Sequence, residues 1–545
     1  MKGLAARIWA KDAALWKDDA AHRKLILNSL GWLGMPETMR GRADELEAFA
    51  ADARGAGFTK ALLLGMGGSS LAPEVFRRVF GAKAGFPELL VLDSTDPEAV
   101  AGADRACPPE HTLYIVASKS GTTTEPLRLF DYFWGRAQSA LGAKAGAHFV
   151  AITDPGSFLE GQAKERGFRK VFQNFPDIGG RFSALSYFGL VPAALIGVDV
   201  RALLERAGKM AKDCALDGAG NPGLLLGLEL GAHAKAGRDK LTLLLPREVE
   251  SLGLWLEQLV AESTGKEGQG VVPVAGEPAG AWGEDRVFVV VKLKGEKDAE
   301  HERLAAKARK EGHPVLVLEM DDLLELGAEF FRWEFATAAL GHALAIDPFD
   351  QPDVQSAKDR TKTVLEHRAK TGALPATEQH VADAGMKLTL SKAAAKAGGD
   401  TPEAALAGFL GLAKPGDYLC LLPFLSTLGE YDAAVAKLAE ALRAGSMNAL
   451  QTGYGPRYLH STGQLHKGGP DKGLFLLILR EGAQDAAIPN QPYGFADLVN
   501  AQAIGDFQAL EGAKRRALLV RLVGDPKKGL ERLTKAVKAA RTAKA

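Results

Sequence analysis

Short apolar runs alternate with stretches of helical spacing along most of the chain. In its first third, apolar runs occupy residues 61–64, 89–92, 113–117 and 148–153, separated by helical stretches such as 126–141. Buried strands of this length that alternate with helices are typical of a parallel sheet covered by helices on both faces. The pattern therefore predicts a doubly wound α/β domain in this part of the chain.

The same alternation stops for a helical stretch and then resumes. The helical stretch is 184–236, and the predicted strands and long helix that follow are 241–245, 287–291, 315–318 and 321–344. We therefore expect a second α/β unit near residues 237–345.

The C-terminal third also alternates strands with helices. An Ala/Gly/Lys-rich stretch at 371–401 is a candidate domain boundary. Further strands are predicted at 418–422, 449–452, 474–479 and 518–522. These strands form either a third α/β unit or the completion of the second sheet, and the pattern leaves both readings open.

The predicted fold class is α/β, with two doubly wound parallel-sheet domains, a helical N-terminus and an extra C-terminal α/β segment. A chain of 545 residues is long enough for about two to four domains. The predicted divisions are N-terminal helices at 1–56, a first α/β domain at 57–236, a second at 237–370 and the C-terminal segment at 371–545.

Composition and charge narrow the function classes. The 67 Lys and Arg residues equal the 67 Asp and Glu residues, so the basic excess of a nucleic-acid-binding protein is absent. Cys107, Cys214 and Cys420 are too widely spaced for a disulfide framework, which favours a reducing compartment. The best candidate for a membrane span, 182–198, is interrupted by Ser and Pro, and charges near the N-terminus exclude a signal peptide. We therefore expect a cytoplasmic protein with no nucleic-acid or membrane partner.

A glycine-rich loop follows the first predicted strand. Residues 65–70 read Gly-Met-Gly-Gly-Ser-Ser and lead into a helix, whose N-terminus offers free N–H groups to a phosphate. Three interpretations stay open: a phosphate loop, a structural turn, or a dinucleotide loop with Asp93 as the ribose-binding acid. The dinucleotide interpretation is weakened because Ser70 stands where that motif has its third glycine.

A second polar loop follows the third predicted strand. Residues 118–125 read Ser-Lys-Ser-Gly-Thr-Thr-Thr-Glu and lead into the helix near Pro126. Capping of that helix would account for one or two of the hydroxyls but not for the whole run. This loop therefore favours a small phosphorylated ligand at the carboxyl edge of the sheet.

Three further side chains are suited to catalysis. Arg181 follows two glycines and can stabilise a developing oxyanion, because a guanidinium keeps its proton. Glu262 ends a predicted helix one turn after Gln258 and can act as a general base if it is partly desolvated. His460 follows a polar, aromatic loop and can transfer protons near neutral pH, with His466 as its nearest competitor. Taken singly, each of these residues also has an ordinary structural or solvated interpretation.

The other histidines lack comparable surroundings, and His342 is expected to be a packed core residue. Metal-ligand spacings such as His-Glu-x-x-His or paired Cys-x-x-Cys are absent from the sequence. We therefore expect no metal cofactor.

Together, these motifs resemble those of the phosphoglucose isomerase (glucose-6-phosphate isomerase) family. Five segments are similar to family signatures and follow the expected order: 65–70, 118–125, 179–183, 258–266 and 349–358. The resemblance covers most of residues 60–360 and returns around 450–470. It is greatest to the isomerase half of bifunctional transaldolase/glucose-6-phosphate isomerase proteins, whose transaldolase half has no counterpart in this sequence.

The resemblance implies a sugar-isomerase-type fold and interconversion of glucose 6-phosphate and fructose 6-phosphate, a step of glycolysis and gluconeogenesis. It assigns Glu262 as the base that moves a proton between C1 and C2 through an enediolate. Arg181 would stabilise the enediolate, and Gly180 would give the substrate room. His460 and Lys358 would assist opening of the sugar ring.

The resemblance also assigns the residues that hold and orient the ligands. Glu125 would orient the histidine, and Gln351 would contact the sugar. The residues implied in binding the phosphate are Gly68, Ser69, Ser118, Lys119, Ser120 and Thr123. A sugar-phosphate isomerase of this kind needs a base, a positive group at the oxyanion and a phosphate anchor, but no redox cofactor.

One departure from the family order concerns the histidine. In the family, the catalytic histidine lies between the glutamate and the lysine, but His460 comes after both Glu262 and Lys358. The histidines between those two positions sit in no matching motif. This order indicates a rearranged C-terminal portion.

Three alternatives stay open at this point: an isomerase that also accepts mannose 6-phosphate, a non-catalytic phosphosugar-binding regulator, and a nicotinamide enzyme. The regulator would keep the serine loops without needing Glu262, Lys358 and His460 together. The resemblance further implies a homodimer, with the histidine donated across the interface as a hypothesis. It leaves open whether a transaldolase partner is fused, separate or missing.

Overall fold

The computed structural model describes residues 3–296, 299–376, 378–482 and 484–542. The secondary structure alternates between helices and strands over most of the chain. No helix among the described residues is both long enough and apolar enough to cross a membrane. The apolar stretch 182–198 contains a short, fully buried helix, Tyr187–Leu195. All three cysteines are buried and free.

The helices and strands are numbered in chain order. The helices are α1 (Leu4–Trp9), α2 (Ala20–Leu27), α3 (Met35–Arg40), α4 (Ala43–Gly55), α5 (Leu71–Phe80), α6 (Pro97–Ala106), α7 (Thr124–Leu141), α8 (Phe158–Glu165), α9 (Tyr187–Leu195), α10 (Val200–Asp213), α11 (Pro222–Lys235), α12 (Leu252–Thr264), α13 (Ala299–Lys310), α14 (Leu326–Leu344), α15 (Gln355–Thr371), α16 (Pro402–Gly411), α17 (Asp432–Arg443), α18 (Gly463–Gly468), α19 (Phe495–Gly512) and α20 (Pro526–Thr542). The strands are β1 (Lys60–Leu64), β2 (Glu88–Leu92), β3 (Thr112–Ala117), β4 (Phe149–Thr153), β5 (Lys170–Gln173), β6 (Lys240–Leu244), β7 (Val272–Ala275), β8 (Arg286–Leu293), β9 (Val315–Met320), β10 (Val381–Ala382), β11 (Met386–Leu390), β12 (Tyr418–Pro423), β13 (Ala449–Thr452), β14 (Gly473–Arg480) and β15 (Arg516–Leu522).

The chain forms two compact units. The first comprises the residues up to Asp93, Ala103–Thr264 and Val287–Gln351. The second comprises Ser94–Gly102, Gly265–Arg286 and the residues from Pro352 onward. The first unit thus joins the predicted N-terminal helices and first α/β domain to most of the predicted second domain. The second unit includes α15, which packs against α19.

The first unit contains the predicted doubly wound parallel sheet. Its strands follow the order β2-β1-β3-β4-β5 and all run parallel. In the register of this sheet, Leu64 of β1 lies beside Leu92 of β2 and Val116 of β3. Four of its strands were predicted, whereas β5 was missed because only one of its four residues is fully buried. The unit also contains β6, β8 and β9, of which β8 and β9 pair in parallel.

The helical stretch 184–236 is confirmed as α9, α10 and α11. Glycines at positions 223, 227 and 231 recur every four residues along α11, on the side that faces α14. A Cβ at Gly227 would lie 2.1 Å from the carbonyl oxygen of Ala336, and one at Gly231 would lie 2.5 Å from Cβ of Ala343. These glycines let the backbones of α11 and α14 approach closely, because no side chain stands between them.

The second unit contains the C-terminal sheet, with strand order β10-β11-β15-β14-β12-β13. Strands β12 to β15 pair in parallel, and β11 runs antiparallel to β15. The four predicted C-terminal strands are therefore confirmed, and they belong to a sheet of their own. Strand β11 was missed because it lies within the stretch taken as a boundary, where Met386, Leu388 and Leu390 alternate with more polar residues.

The close approach of α11 and α14 can be tested by adding a methyl group. We expect Gly227→Ala to lower the free energy of unfolding by about 1–3 kcal/mol, because the new Cβ overlaps the Ala336 carbonyl. Gly208→Ala in α10 is the control, since a Cβ there has nothing within 4 Å and should stabilise the helix by about 0.5–1 kcal/mol. Urea denaturation followed by circular dichroism measures both, and equal effects would contradict the packing argument.

Candidate active site

The two polar loops predicted from the sequence lie at the same edge of the first sheet. The loop of residues 65–70 follows β1, and the loop of residues 118–125 follows β3. Strands β1 and β3 are neighbours and run parallel, so their carboxyl ends lie side by side. Helix α5 begins directly after the first loop, and α7 begins at Thr124 within the second, so both loops present helix N-termini at this edge.

The first loop is held by backbone contacts. Gly67 has a φ of +53°, a conformation that favours glycine. A Cβ at Gly68 would lie 1.9 Å from the carbonyl oxygen of Gly180, so the first loop is packed directly against the turn that carries Arg181. The predicted phosphate residue Ser69 is 9% exposed.

The environment of Asp93 bears on the dinucleotide interpretation. Asp93 is fully buried, and the hydroxyl of Ser70 donates to its Oδ2 at 3.3 Å. A ribose-binding acid has to be reached by the ligand. Asp93 is instead buried and accepts a hydrogen bond from Ser70 of the glycine loop. The structure therefore does not support the dinucleotide interpretation.

The second loop carries a cluster of hydroxyl groups. Ser118 donates to Oγ1 of Thr123 at 3.2 Å, and the hydroxyl of Thr122 donates to Oγ of Ser120 at 3.0 Å. Thr123 precedes α7 but makes no side-chain capping bond, which leaves its hydroxyl to the cluster. Ser118 thus pairs with Thr123, and Ser120 pairs with Thr122, whose N–H also donates to Oγ of Ser120 at 3.2 Å.

Two charged residues of the second loop are already engaged. The ammonium of Lys119 forms an ion pair with Asp154 and donates to the carbonyl of Pro176 at 3.0 Å. Burial raises the pKa of Asp154, and the neighbouring Lys119 opposes that shift. Lys119 can therefore offer its backbone rather than its charge to a phosphate. Glu125, in the first turn of α7, is buried.

Arg181 is the most thoroughly bonded side chain of the site. It is 2% exposed, and its Nε donates to Oγ of Ser263 at 2.7 Å. One terminal nitrogen donates to Oε1 of Gln351 at 2.8 Å, and the other donates to the carbonyls of Pro348 at 2.6 Å and Asp350 at 3.0 Å. The guanidinium is thus fixed in position by α12 and by the segment after α14.

Glu262 lies beside this guanidinium. Its Oε1 is 3.8 Å from a terminal nitrogen of Arg181, and its side chain is 13% exposed. Its other oxygen accepts a hydrogen bond from Nε2 of Gln258 at 3.1 Å. A Cβ at Gly180 would have nothing among the described atoms within 4 Å, which is compatible with the predicted space for a ligand.

Aromatic packing supports the segments on either side of Arg181. The ring of Phe182 lies 5.5 Å from that of Trp32 and 5.3 Å from that of Phe349. Trp16 contacts Phe349 edge-on at 5.1 Å. The N-terminal helical region therefore contributes Trp16 and Trp32 to the scaffold of the site.

His460 and Lys358 belong to the second unit. Lys358 is exposed on α15, and His460 is half-buried at the end of the one-turn 3₁₀ helix Arg457–His460. His466 is fully buried, and its Nε2 lies 2.9 Å from Oε1 of Gln451. Burial lowers the pKa of His466 well below the ordinary value, which disfavours protonation of this imidazole.

The histidines between Glu262 and Lys358 make structural contacts. Nε2 of His301 lies 2.9 Å from the carbonyl of Leu244, and Nδ1 of His342 lies 2.8 Å from the carbonyl of Leu15. His342, expected in the core, is only half-buried, because this bond holds it at the edge of the N-terminal helices. His313 is buried against Phe288.

The sequence did not reveal which atoms would hold Arg181. Ser263 lay inside a recognised motif without an assigned role, and main-chain carbonyls carry no sequence signal. Gln351, predicted to contact the sugar, accepts a hydrogen bond from Arg181.

One group of described residues has the donor chemistry of a metal site. The ligand atoms of His22, Asp347 and Asp350 lie within 4.8 Å of one another. Some of these atoms are already used in other contacts, since Asp19 lies 2.6 Å from Nδ1 of His22 and Asp347 accepts from the Phe349 N–H. The backbone carbonyl of Asp350 holds Arg181, so the group borders the arginine's support.

Part of the chain is similar to known proteins of one family. Residues 38–284 match the family model described as phosphoglucose isomerase. The glucose-6-phosphate isomerase of Rubrobacter xylanophilus is 29% identical over 393 residues, covering 62% of this chain and 90% of that protein. The glucose-6-phosphate isomerase of a Synechococcus strain is 35% identical over 260 residues, covering 43% of this chain and 48% of that protein. Against several curated relatives, the chain thus spans only about half of their length.

Two solved structures share the fold. A hypothetical protein from Thermus thermophilus aligns with a TM-score of 0.57 and 26% identity, over 66% of this chain and 93% of that one. A glucose-6-phosphate isomerase from Chlamydia trachomatis aligns with a TM-score of 0.51 and 21% identity, over 67% of this chain and 78% of that one.

The bond between Arg181 and Ser263 can be tested by removing the hydroxyl. We expect Ser263→Ala to lower the free energy of unfolding by about 1.5–3 kcal/mol, because a buried charged donor loses its acceptor. Ser251→Ala is a matched control, since its buried hydroxyl has no hydrogen-bond partner among the described residues and its loss should be nearly neutral. Urea denaturation of both variants checks this, and an unchanged stability of Ser263→Ala would contradict the assigned role of this bond.

Proposed function

Because the chain belongs to the phosphoglucose isomerase family, we propose that it interconverts glucose 6-phosphate and fructose 6-phosphate through an enediolate. The observation that carries this proposal is the pairing of Glu262 with Arg181, whose charged groups lie 3.8 Å apart and are largely shielded from water. A carboxylate beside a fixed positive charge is what transfer of a proton next to a carbonyl requires.

Glu262 is the proposed base. It removes the proton from C2 of the open-chain aldose and returns it to C1, while the proton of the C2 hydroxyl passes to the oxygen on C1, so that the carbonyl moves from C1 to C2 and no electron leaves the sugar. The bond from Gln258 fixes one carboxylate oxygen and leaves the other on the side of Arg181. The general base contributes about 10²–10⁴-fold to the rate of such a step.

Arg181 is the proposed partner of the developing negative charge. Its guanidinium keeps its proton throughout the reaction and is held in place before the substrate arrives. A preorganised charge stabilises the enediolate without the cost of reorienting at the moment of reaction. Gly180 leaves room for the sugar, and Gln351 is proposed to contact it.

The two hydroxyl-lined loops are the proposed phosphate anchor. Ser118, Ser120 and Thr123 supply hydroxyl donors, and α5 and α7 offer their N-termini at the same edge of the sheet. Ser69, with the backbone near Gly68 and Lys119, is proposed to complete the anchor. Binding energy from the phosphate then positions the reacting carbons.

His460 and Lys358 are proposed to assist opening of the sugar ring, with Glu125 orienting the histidine. Opening needs a proton donated to the ring oxygen and a proton removed from the anomeric hydroxyl, and an imidazole is suited to this transfer near neutral pH. A location in the cytoplasm, a homodimer and a transaldolase partner or fusion are further proposals that follow from the family resemblance.

The role of Glu262 is tested by removing its basicity. We expect Glu262→Gln to reduce turnover of fructose 6-phosphate by about 10²–10⁴-fold, because the amide cannot accept the proton. Binding of glucitol 6-phosphate, which carries the phosphate but no carbonyl, should change less than about twofold. A coupled assay and calorimetry measure these quantities. Glu250→Gln, at an exposed position just before α12, is the control, and near-normal turnover of Glu262→Gln would refute the assignment.

The role of His460 is tested with a substrate that has no ring to open. In 5-deoxyfructose 6-phosphate the hydroxyl that closes the ring is absent, so isomerisation starts from the open chain. We expect His460→Gln to lower kcat for fructose 6-phosphate by about 10- to 100-fold while changing kcat for the deoxy analogue less than about threefold. His367→Gln, exposed on α15, is the control. Equal losses on both substrates would rule out a role confined to ring opening.

A further inference from the structure

Lys358 and His460 lie far apart in the sequence, yet within the second unit the segments that carry them both contact helix α19. Lys358 lies in the first turn of α15, and His460 ends the 3₁₀ turn before α18. Helix α19 packs along α15 and also contacts α18. Two adjacent residues of α19 make these contacts: Gly505 contacts α15, and Asp506 contacts the turn that carries His460.

The turn that carries His460 is anchored through Tyr458. Tyr458 is 1% exposed, and its hydroxyl donates to Oδ2 of Asp506 at 2.6 Å. Its N–H donates to the carbonyl of Tyr454 at 2.9 Å, and its own carbonyl accepts from the N–H of Ser461 at 3.0 Å. Tyr458 is therefore bonded on both sides of the turn, and its hydroxyl ties the turn to α19.

The acceptor of this bond is itself a buried charge with a counter-ion. Asp506 is fully buried, and its Oδ1 lies 2.6 Å from Nζ of Lys467, whose side chain is 4% exposed. Lys467 also donates to the carbonyl of Gly463 at 3.2 Å. Burial and the neighbouring Asp506 raise the pKa of Tyr458 well above its ordinary value, so its hydroxyl stays a donor.

The segment that carries Lys358 is seated beside the same carboxylate. A Cβ at Gly505 would lie 2.6 Å from Oγ1 and 2.8 Å from N of Thr361, one turn after Lys358. Asp353, just before α15, makes two hydrogen bonds with Gln464. The N–H of Asp353 donates to Oε1 of Gln464 at 2.8 Å, and Nε2 of Gln464 donates to Oδ2 of Asp353 at 2.6 Å. The start of α15 is thus bonded to the segment that follows His460.

We propose that Asp506 is a positioning residue for ring opening. It holds the turn that carries His460 by accepting the hydrogen bond of the Tyr458 hydroxyl, and its neighbour Gly505 contacts the helix that carries Lys358. This inference rests on the proposed role of His460. Asp506 is not proposed to touch the sugar. Its contribution is to keep the histidine-bearing turn in one place, since small displacements of a catalytic group cost large factors in rate.

The first test removes the anchoring hydroxyl. We expect Tyr458→Phe to lower kcat for fructose 6-phosphate by about 5- to 50-fold, with KM and kcat for 5-deoxyfructose 6-phosphate each changing less than about twofold. A merely structural role would lower the melting temperature and affect both substrates equally. Asp497→Ala is the control, since it removes a hydrogen bond between α15 and α19, from Nε of Arg368 at 2.9 Å, away from the His460 turn.

The second test keeps or removes the side-chain oxygen at position 506 that accepts from the Tyr458 hydroxyl. Both variants also carry Lys467→Met, so that the lysine charge is removed together with the carboxylate charge. Lys467→Met combined with Asp506→Asn retains an oxygen for the Tyr458 hydroxyl and leaves no unpaired buried charge. We compare kcat for fructose 6-phosphate divided by kcat for 5-deoxyfructose 6-phosphate. We expect this double variant to keep at least about half of the wild-type value of that ratio. Lys467→Met combined with Asp506→Ala should lower the ratio as Tyr458→Phe does.

The outcomes separate this inference from the proposal beneath it. If His460→Gln lowers kcat selectively for fructose 6-phosphate while Tyr458→Phe and the Asp506→Ala double variant do not, the positioning role is refuted and the role of His460 stands. If His460→Gln affects both substrates equally, the ring-opening role fails and the inference fails with it. Selective losses in all three variants, with recovery in the Asp506→Asn double variant, support it.

Discussion

A charged guanidinium buried next to a carboxylate is the constraint that shapes the first unit. Arg181 is 2% exposed, and a buried charge without partners would cost several kcal/mol. The cost is offset by hydrogen bonds to a serine hydroxyl, a glutamine side chain and two main-chain carbonyls. These acceptors come from α12 and from the segment after α14. The arginine therefore fixes the relative position of segments that are distant in sequence, and Glu262 at the end of α12 is placed with them.

The surrounding structure supports this arrangement. The parallel sheet aligns the carboxyl ends of β1 and β3, which puts two hydroxyl-bearing loops at one edge, and the Gly68–Gly180 contact packs one loop against the arginine turn. In the N-terminal region, Trp32 packs against Phe182, which follows Arg181, and Trp16 packs against Phe349, which lies between the arginine's partners Pro348 and Asp350. The second unit likewise contains a buried carboxylate, Asp506, which is partnered by a lysine and a tyrosine.

Much of this could be predicted from the sequence, because buried parallel strands are continuous apolar runs and leave a strong pattern. Two of the missed strands lack that signal: β5 has one fully buried residue, and β11 lies in an Ala/Gly/Lys-rich stretch. At the candidate site, the motifs singled out Arg181 and Glu262, which lie 3.8 Å apart. The carbonyls of Pro348 and Asp350 that accept from Arg181 could not be predicted, because every residue has a main-chain carbonyl. The burial of Asp93 beside Ser70 was equally hidden, since it depends on how the loop folds back on the sheet.

The central claim is that the phosphate loops and the Glu262–Arg181 pair act on one sugar. The most direct measurement is a crystal structure with a phosphorylated hydroxamate that mimics the enediolate. The account predicts the phosphoryl group on the hydroxyls of Ser118 and Ser120, the hydroxamate oxygen facing Arg181, and the carboxylate of Glu262 about 3 Å from the atoms that stand for C1 and C2. A phosphoryl group bound away from the two serines, or a Glu262 carboxylate remote from the hydroxamate, would contradict it.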